Sequence, residues 1–166
     1  MYSWNNYAFI DSQNLNLGIR ELGWKLDYYR FRVYLKEKYS VQVAYMFVGF
    51  TPLQHALYDN LERAGFILCF KPTIPDEYGK IKGNVDADLV LRAVLEQDHY
   101  DQAIIISSDG DFYSLVEYLH GTNKLSAVVS PSPEQCSALL KQAAGDRMQY
   151  VNYLRNKLEY KRRSTA

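Results

Sequence analysis

Acidic residues stand where apolar runs of this sequence end, and their types and spacing could bind a cation. The stretch SSDGDF follows the apolar run 103–106 and places Asp109 and Asp111 on either side of one glycine, which allows a tight turn. Asp11 likewise ends the apolar run 7–10. Because open parallel α/β sheets bind ligands beyond the carboxyl ends of their strands, acids at these positions are candidates for a functional site.

A second acidic stretch, VDAD, stands at the start of a predicted helix. Its two acids, Asp86 and Asp88, lie in the first turn, where the helix dipole favours carboxylates. At helical spacing they point about 200° apart, so only Asp86 shares a stripe with Leu89 and Ala93, the face expected to pack on the sheet. Asp88 lines up with Arg92 and is predicted to form a surface ion pair. We therefore place Asp86 in the site. Asp88 is predicted either to support the site without contacting a ligand or to be solvated.

Each acid also has a purely structural interpretation. Asp11 could cap a following helix, Asp111 is well placed as an N-cap, and Asp109 could be a turn residue. Asp86 could simply complement a helix dipole. The structural interpretations explain the four acids less well as a set than one by one, because four carboxylates converging at one sheet edge repel each other unless a cation lies among them. Ligands that are all oxygen favour Mg²⁺ or Mn²⁺ over zinc.

Other kinds of chemistry find little support in the sequence. It contains no Ser-His-Asp order, P-loop or glycine-rich dinucleotide motif, and its three histidines lack zinc spacing. Acids with a hard cation suit hydrolysis of a phosphate ester, where the metal polarises the phosphoryl oxygen and lowers the pKa of a bound water. Asn14 could orient that water or bind a phosphate oxygen, and Ser107 could donate to a phosphate or fix Asp109.

Strands and helices alternate along the chain. The predicted strands are residues 7–11, 41–48, 66–70, 102–107 and 125–129, with a shorter one at 148–153. The predicted helices are residues 27–39, 51–64, 85–97 (largely buried), 111–120 and 132–144. This alternation predicts an α/β fold, a Rossmann-like three-layer sandwich with a mostly parallel central sheet of five to six strands and helices on both faces.

The composition suits one domain over residues 1–166, with a tail from about residue 155 that is helical at first and then basic and frayed. Lys+Arg and Asp+Glu both number 19, so any nucleic-acid surface has to be local. The sequence shows no signal peptide or membrane span, and its two cysteines suit buried thiols in a reducing compartment. These features predict a cytoplasmic protein with no membrane partner. The 15 tyrosines could fill the core or serve an interface, such as that of a homodimer.

The residues resemble those of the NYN domains, particularly the bacterial LabA-like group, within the PIN-like nuclease superfamily. The resemblance covers roughly residues 6–153 and runs through Asp11 and Asn14, then Lys82, Val85 and Asp86, then Ser107, Asp109, Asp111 and Phe112. It implies a metal-dependent ribonuclease site whose catalytic metal ligands, for Mg²⁺ or Mn²⁺, are Asp11, Asp86, Asp109 and Asp111, supported by Asn14 and Ser107. The family often has glycine where this chain has Ser12 and Ser108, which bears on substrate fit more than on metal binding.

The resemblance implies RNA, in single-stranded form, as the partner. Lys71, Lys80 and Lys82 flank the polar loop 72–84 beside Asp86 and could neutralise phosphates, or could simply be solvated. The basic tail could be an RNA arm or a frayed end. The leading function is a metal-dependent ribonuclease. The alternative is a regulatory RNA- or protein-binding module with little catalytic turnover, and a phosphatase of small phosphoesters ranks below both.

Overall fold

A computed structural model describes residues 3–49, 54–72, 74–79 and 84–162. The strands are β1 Asn6–Asp11, β2 Val41–Gly49, β3 Phe66–Lys71, β4 Ala103–Ile106, β5 Leu125–Ser130 and β6 Met148–Tyr150. The helices are α1 Ser12–Glu21, α2 Tyr28–Tyr39, α3 His55–Ala64, α4 Asp86–Leu95, α5 Tyr113–Gly121, α6 Ala138–Ala144 and α7 Arg155–Leu158. Short 3₁₀ turns follow β4, α6 and β6 at Gly110–Phe112, Gly145–Arg147 and Asn152–Leu154.

The six strands form one sheet in the order β3-β2-β1-β4-β5-β6, and every neighbouring pair is parallel. The chain builds outward from β1 to β3 on one side and from β4 to β6 on the other. The strand order therefore reverses between β1 and β4, the place where a crevice for ligands forms in such sheets. The predicted α/β fold with a parallel sheet is confirmed.

Helices cover both faces of the sheet, as expected for three layers. Alternation along β1 sends Ile10 to one face and Phe9 to the other, because successive side chains of a strand point oppositely. Ile10 packs in a core with residues of α1, α2, α3 and α7, whereas Phe9 packs with residues of α4, α5 and α6. Both cores are apolar and fully enclosed at their centres.

The predicted helix 85–97 is shorter and more exposed than expected. It spans Asp86–Leu95 and buries Leu89 and Ala93, but Leu91 and Leu95 are 57% and 68% exposed. The predicted ion pair of Arg92 with Asp88 is not the one that forms. The Arg92 guanidinium instead lies 3.4 Å from Glu96 and 5.1 Å from the centre of the Tyr45 ring.

Several predicted helix boundaries were wrong. The predicted helix 132–144 begins only at Ala138, because the backbone N–H of Ser137 donates to Ser108 O (3.0 Å) and the preceding residues form a turn. The predicted helix 111–120 begins at Tyr113, after a 3₁₀ turn. Helix α1 was anticipated only as a segment that Asp11 could cap. The helix start predicted at residues 51–52 lies outside the described residues.

The chain beyond β6 is better anchored than a frayed tail. The predicted strand 148–153 ends at Tyr150, and a 3₁₀ turn leads into α7. Leu158 is buried, its carbonyl accepts from Asp27 N (2.8 Å), and Tyr160 N donates to Lys25 O (2.8 Å). The segment as far as Tyr160 therefore packs on the loop before α2.

No helix among the described residues is long and apolar enough to span a bilayer.

Candidate metal centre

Asp11 stands at the carboxyl end of β1, beside the point where the strand order reverses. The apolar run before it fills the two cores, and the polar residues after it begin α1. Its carboxylate caps that helix by accepting a long hydrogen bond from Asn14 N (3.4 Å). The structural interpretation of Asp11 as a helix cap is therefore correct, and it leaves the second carboxylate oxygen for other contacts.

Ser107 joins the ends of β1 and β4 through one buried hydroxyl. Its Oγ donates to Asp11 Oδ2 (3.3 Å) and accepts from the backbone N–H of Asp109 (3.1 Å). Asp109 in turn accepts from Asp111 N (2.9 Å), which caps the 3₁₀ turn Gly110–Phe112. Asp109 is thus the capping residue of this turn, and Asp111 lies inside the turn rather than at the predicted N-cap.

Asp86 approaches from the other side of the crevice as the first residue of α4. Its backbone N–H donates to Asn84 Oδ1 (2.9 Å), which anchors the start of the helix. The ammonium of Lys71, at the end of β3, donates to the carbonyl of Asn84. These contacts bring Asp86 to the same sheet edge as Asp11 and Asp109.

Three of the four predicted acids meet closely. Asp11, Asp86 and Asp109 each offer one carboxylate oxygen, and these three oxygens all lie within 4.8 Å of one another. They line a cavity of about 510 Å³, together with Asn14 and Asp111. The exposed Asp111 carboxylate is not part of the group of three. Lys80 and Lys82 lie outside the described residues.

The proximity of these acids disfavours ionisation of all of them together. Burial, with the negative charges of Asp109, Asp11 and Asp111, raises the pKa of Asp86 to about 6. Burial also raises the pKa of Asp11, an effect that hydrogen bonds from Asn14 and Ser107 oppose. A cation among the carboxylates would remove this repulsion. The all-oxygen donor set and its elevated pKa values fit a hard divalent cation such as Mg²⁺ or Mn²⁺.

Asn14 ties α1 to the loop after β4. Its Oδ1 accepts from Ser108 N (2.9 Å) and from Ser108 Oγ (3.1 Å). The side-chain NH₂ of Asn14 has no hydrogen-bond partner in the described part of the chain, so it can donate to a ligand in the cavity that Asn14 lines. Ser108 stands where the family often has glycine. Its hydroxyl donates one of the two hydrogen bonds to Asn14, and the three clustered acids still meet.

Sequence reasoning missed two residues that shape the centre. Asn84 stands two residues before an acid at a helix start, a spacing that allows its side chain to accept from the backbone N–H of Asp86. Gln13 lines the cavity from the first turn of α1. The Asn84 contact has a local signal in the sequence, but the position of Gln13 depends on how α1 packs against the sheet.

Comparisons with known proteins agree with the fold. The family model of the NYN domain matches residues 7–151. A search of the curated proteins finds no match. A crystal structure of a protein of unknown function from Vibrio parahaemolyticus RIMD 2210633 is similar, with 28% sequence identity and a TM-score of 0.75. That similarity covers 90% of this chain and 94% of the other.

Proposed function

The chain belongs to the NYN domain family, and from that premise we propose that it is a metal-dependent ribonuclease that hydrolyses RNA phosphodiesters. The observation that carries the proposal is the group of three carboxylate oxygens within 4.8 Å of one another. This group stands at the strand-order reversal, where a parallel sheet of this kind binds its ligands. Membership of the LabA-like group stays a prediction, because the matching family model is that of NYN domains in general.

The chain's own residues take distinct parts in the proposed reaction. Asp11, Asp86 and Asp109 would hold Mg²⁺ or Mn²⁺, which supplies a Lewis acid that polarises the phosphoryl oxygen. Asp111 stands in the cavity wall and adds negative charge that favours cation binding. The NH₂ group of Asn14 is a donor for a phosphate oxygen, and Ser107 orients Asp11 and the Asp109 loop.

Further expectations from the sequence belong with the proposal. The RNA is expected to be single-stranded, as the family resemblance implies. A cytoplasmic location and a homodimer stay predictions. The sequence left open whether Lys71 neutralises phosphates or is solvated. Its hydrogen bond to the carbonyl of Asn84 also holds the segment before α4.

Cleavage of a labelled single-stranded RNA tests the proposal. The purified protein, incubated with EDTA, Mg²⁺ or Mn²⁺, is compared with Asp109→Asn and with Asp88→Asn, which removes the same charge from an exposed position outside the group. We expect metal-dependent cutting that Asp109→Asn lowers at least about 100-fold, because loss of a residue that merely supports a ligand already costs about 10–100-fold. Asp88→Asn should cut nearly as well as the wild type.

Each other result would point elsewhere. Equal cutting by the wild type and Asp109→Asn would show the mechanism to be wrong. RNA binding without cutting at saturating metal would favour the regulatory binding module. Rapid turnover of nucleoside monophosphates with no action on RNA would favour a phosphatase.

A further inference from the structure

A second cavity, of about 490 Å³, lies beside the metal centre. The two cavities share Gln13 and Gly49 in their walls, so they are adjacent. The second cavity is lined by two cationic side chains, Arg20 and Lys25, by uncharged polar groups, and by apolar side chains such as those of Leu57 and Leu61. No acidic side chain lies among its described lining residues, in contrast to the neighbouring acidic centre.

One face of α1 forms the wall that leads from the metal centre into this cavity. Gln13, Asn16 and Arg20 recur at helical spacing and line the cavity together, while Leu15 and Ile19 turn into the core. This polar face of α1 therefore connects the walls of the two cavities.

Neither Arg20 nor Lys25 forms an ion pair within the part of the chain that the structure describes, whereas Arg92 and Arg155 each pair with a glutamate. The glutamate that pairs with Arg155, Glu159, lines a neighbouring cavity together with both cations. The neighbouring Glu21 accepts instead from Gln135 Nε2 (3.1 Å). Lys25 lies 5.0 Å from the centre of the Tyr160 ring and contacts the anchored tail. In a chain of zero net charge, such a local excess of positive charge suits a polyanion.

We propose that this second cavity binds backbone phosphates of the RNA strand beside the one that is cleaved, an inference that rests on the proposed ribonuclease function. Arg20 comes nine residues after Asp11 along α1, or about 13.5 Å at the helical rise. Phosphates held by Arg20 and Lys25 are therefore not the scissile phosphate. The RNA strand would run from the acidic centre over Gln13 and along the polar face of α1. The 5′-to-3′ direction of the RNA along this path would decide whether the protein binds the nucleotides on the 5′ or the 3′ side of the cleaved bond.

Salt-dependent binding of single-stranded RNA tests this inference. Fluorescence anisotropy with Mg²⁺ would follow a labelled oligonucleotide on the Asp109→Asn background, with Arg20→Gln, Lys25→Gln or both added. The matched control is Lys36→Gln, an exposed lysine of α2 that lines neither cavity. Each lost phosphate contact should lower the slope of log affinity against log salt by about 0.7. We expect the double variant to bind at least about tenfold more weakly, with Lys36→Gln unchanged.

We expect the charge of Arg20, rather than the shape of its side chain, to account for RNA binding. Arg20→Lys should therefore keep most of the slope of log affinity against log salt. Equal affinity and slope in the Asp109→Asn parent and the variant that also carries Arg20→Gln and Lys25→Gln would overturn the inference, and so would equal weakening by Lys36→Gln. If the wild type still cuts RNA in that case, the proposed function stands without this subsite. A wild type that neither cuts nor binds RNA would overturn the proposed function and the inference together.

Discussion

Ser107 orients two of the three clustered carboxylates with a single hydroxyl. It donates to the Asp11 carboxylate and accepts from the backbone N–H of Asp109. Asn14 adds a second link between the same two strand ends through Ser108. The acids are therefore held close together by hydrogen bonds even though their charges repel, and burial together with this repulsion raises the pKa of Asp86.

Replacing Asp86 by Asn should stabilise the protein when no metal is bound. The pKa of Asp86 rises from 3.8 to about 6 on folding, so the folded state binds more protons than the unfolded state between these values. The free energy of unfolding therefore falls as pH rises through this window. With solvent screening, burial and charge repulsion together are worth on the order of 1 kcal/mol, so Asp86→Asn should raise Tm in EDTA at pH 7 by about 2–4 °C.

Thermal unfolding at two pH values checks whether Asp86→Asn raises Tm as predicted. The advantage of Asp86→Asn should shrink as the pH falls and vanish at about pH 3, where the wild-type carboxyl is largely protonated in both states. Saturating Mg²⁺ should reverse the order at pH 7, because a cation that binds the folded wild type stabilises it. A wild type that is more stable than Asp86→Asn in EDTA at pH 7 would contradict the assigned repulsion.

At the scale of elements, the loop after β4 is braced by the segment before α6. Ser137 N donates to Ser108 O (3.0 Å), and a Cβ added to Gly110 would lie 2.4 Å from Ser137 Oγ. The same segment meets α1, where a Cβ on Gly18 would lie 2.4 Å from Pro131. The two elements that carry Asp11 and Asp109 thus share one neighbour, whose close approach requires glycine at both contacts.

Gly110→Ala should destabilise the protein by about 1–3 kcal/mol, the usual cost of forcing atoms into a packed contact. Adding Ser137→Gly removes both opposing side-chain atoms and should recover part of that loss. Gly121→Ala is the matched control, since a Cβ there meets nothing within 4 Å. Urea denaturation measures the free energies of unfolding. Additive effects of Gly110→Ala and Ser137→Gly would show that the predicted clash does not occur.

At the scale of the whole molecule, the order of the strands creates the site. The reversal between β1 and β4 places the ends of both strands at one crevice, and α4 enters that crevice from the other face. Leu158 of α7 is fully buried in the core that also holds residues of α1 and α2. The last described segment is therefore part of the folded unit.

Leu158→Ala should lower the free energy of unfolding by about 2–5 kcal/mol, the range for truncating a buried leucine. Leu95→Ala makes the same change on α4 at a side chain that is 68% exposed, and should alter the free energy by no more than about 0.5 kcal/mol. Urea unfolding of the two variants beside the wild type measures the difference. Similar small effects at both positions would mean that the tail is not anchored in solution.

The sequence by itself determined the succession of strands along the chain, most of the helices between them, the parallel α/β class, and the placement of Asp11 and Asp109 at strand ends. These features follow from local patterns, since apolar runs of about four to eight residues form strands and Asp, Ser and Gly end them. The helix 27–39 was predicted within one residue because Asp27 caps it and accepts from Arg30 N (3.0 Å).

Only the tertiary structure decided which of the predicted acids meet. Asp111 leaves the group because the 3₁₀ turn carries its side chain outward, and the sequence alone allowed a helix start there. The late start of α6 depends on a hydrogen bond to Ser108, a partner far away along the chain. The cavity of Arg20 and Lys25 forms only where α1 packs beside β2 and α3. Distances between elements arise from packing across the sheet, which no local pattern in the sequence encodes.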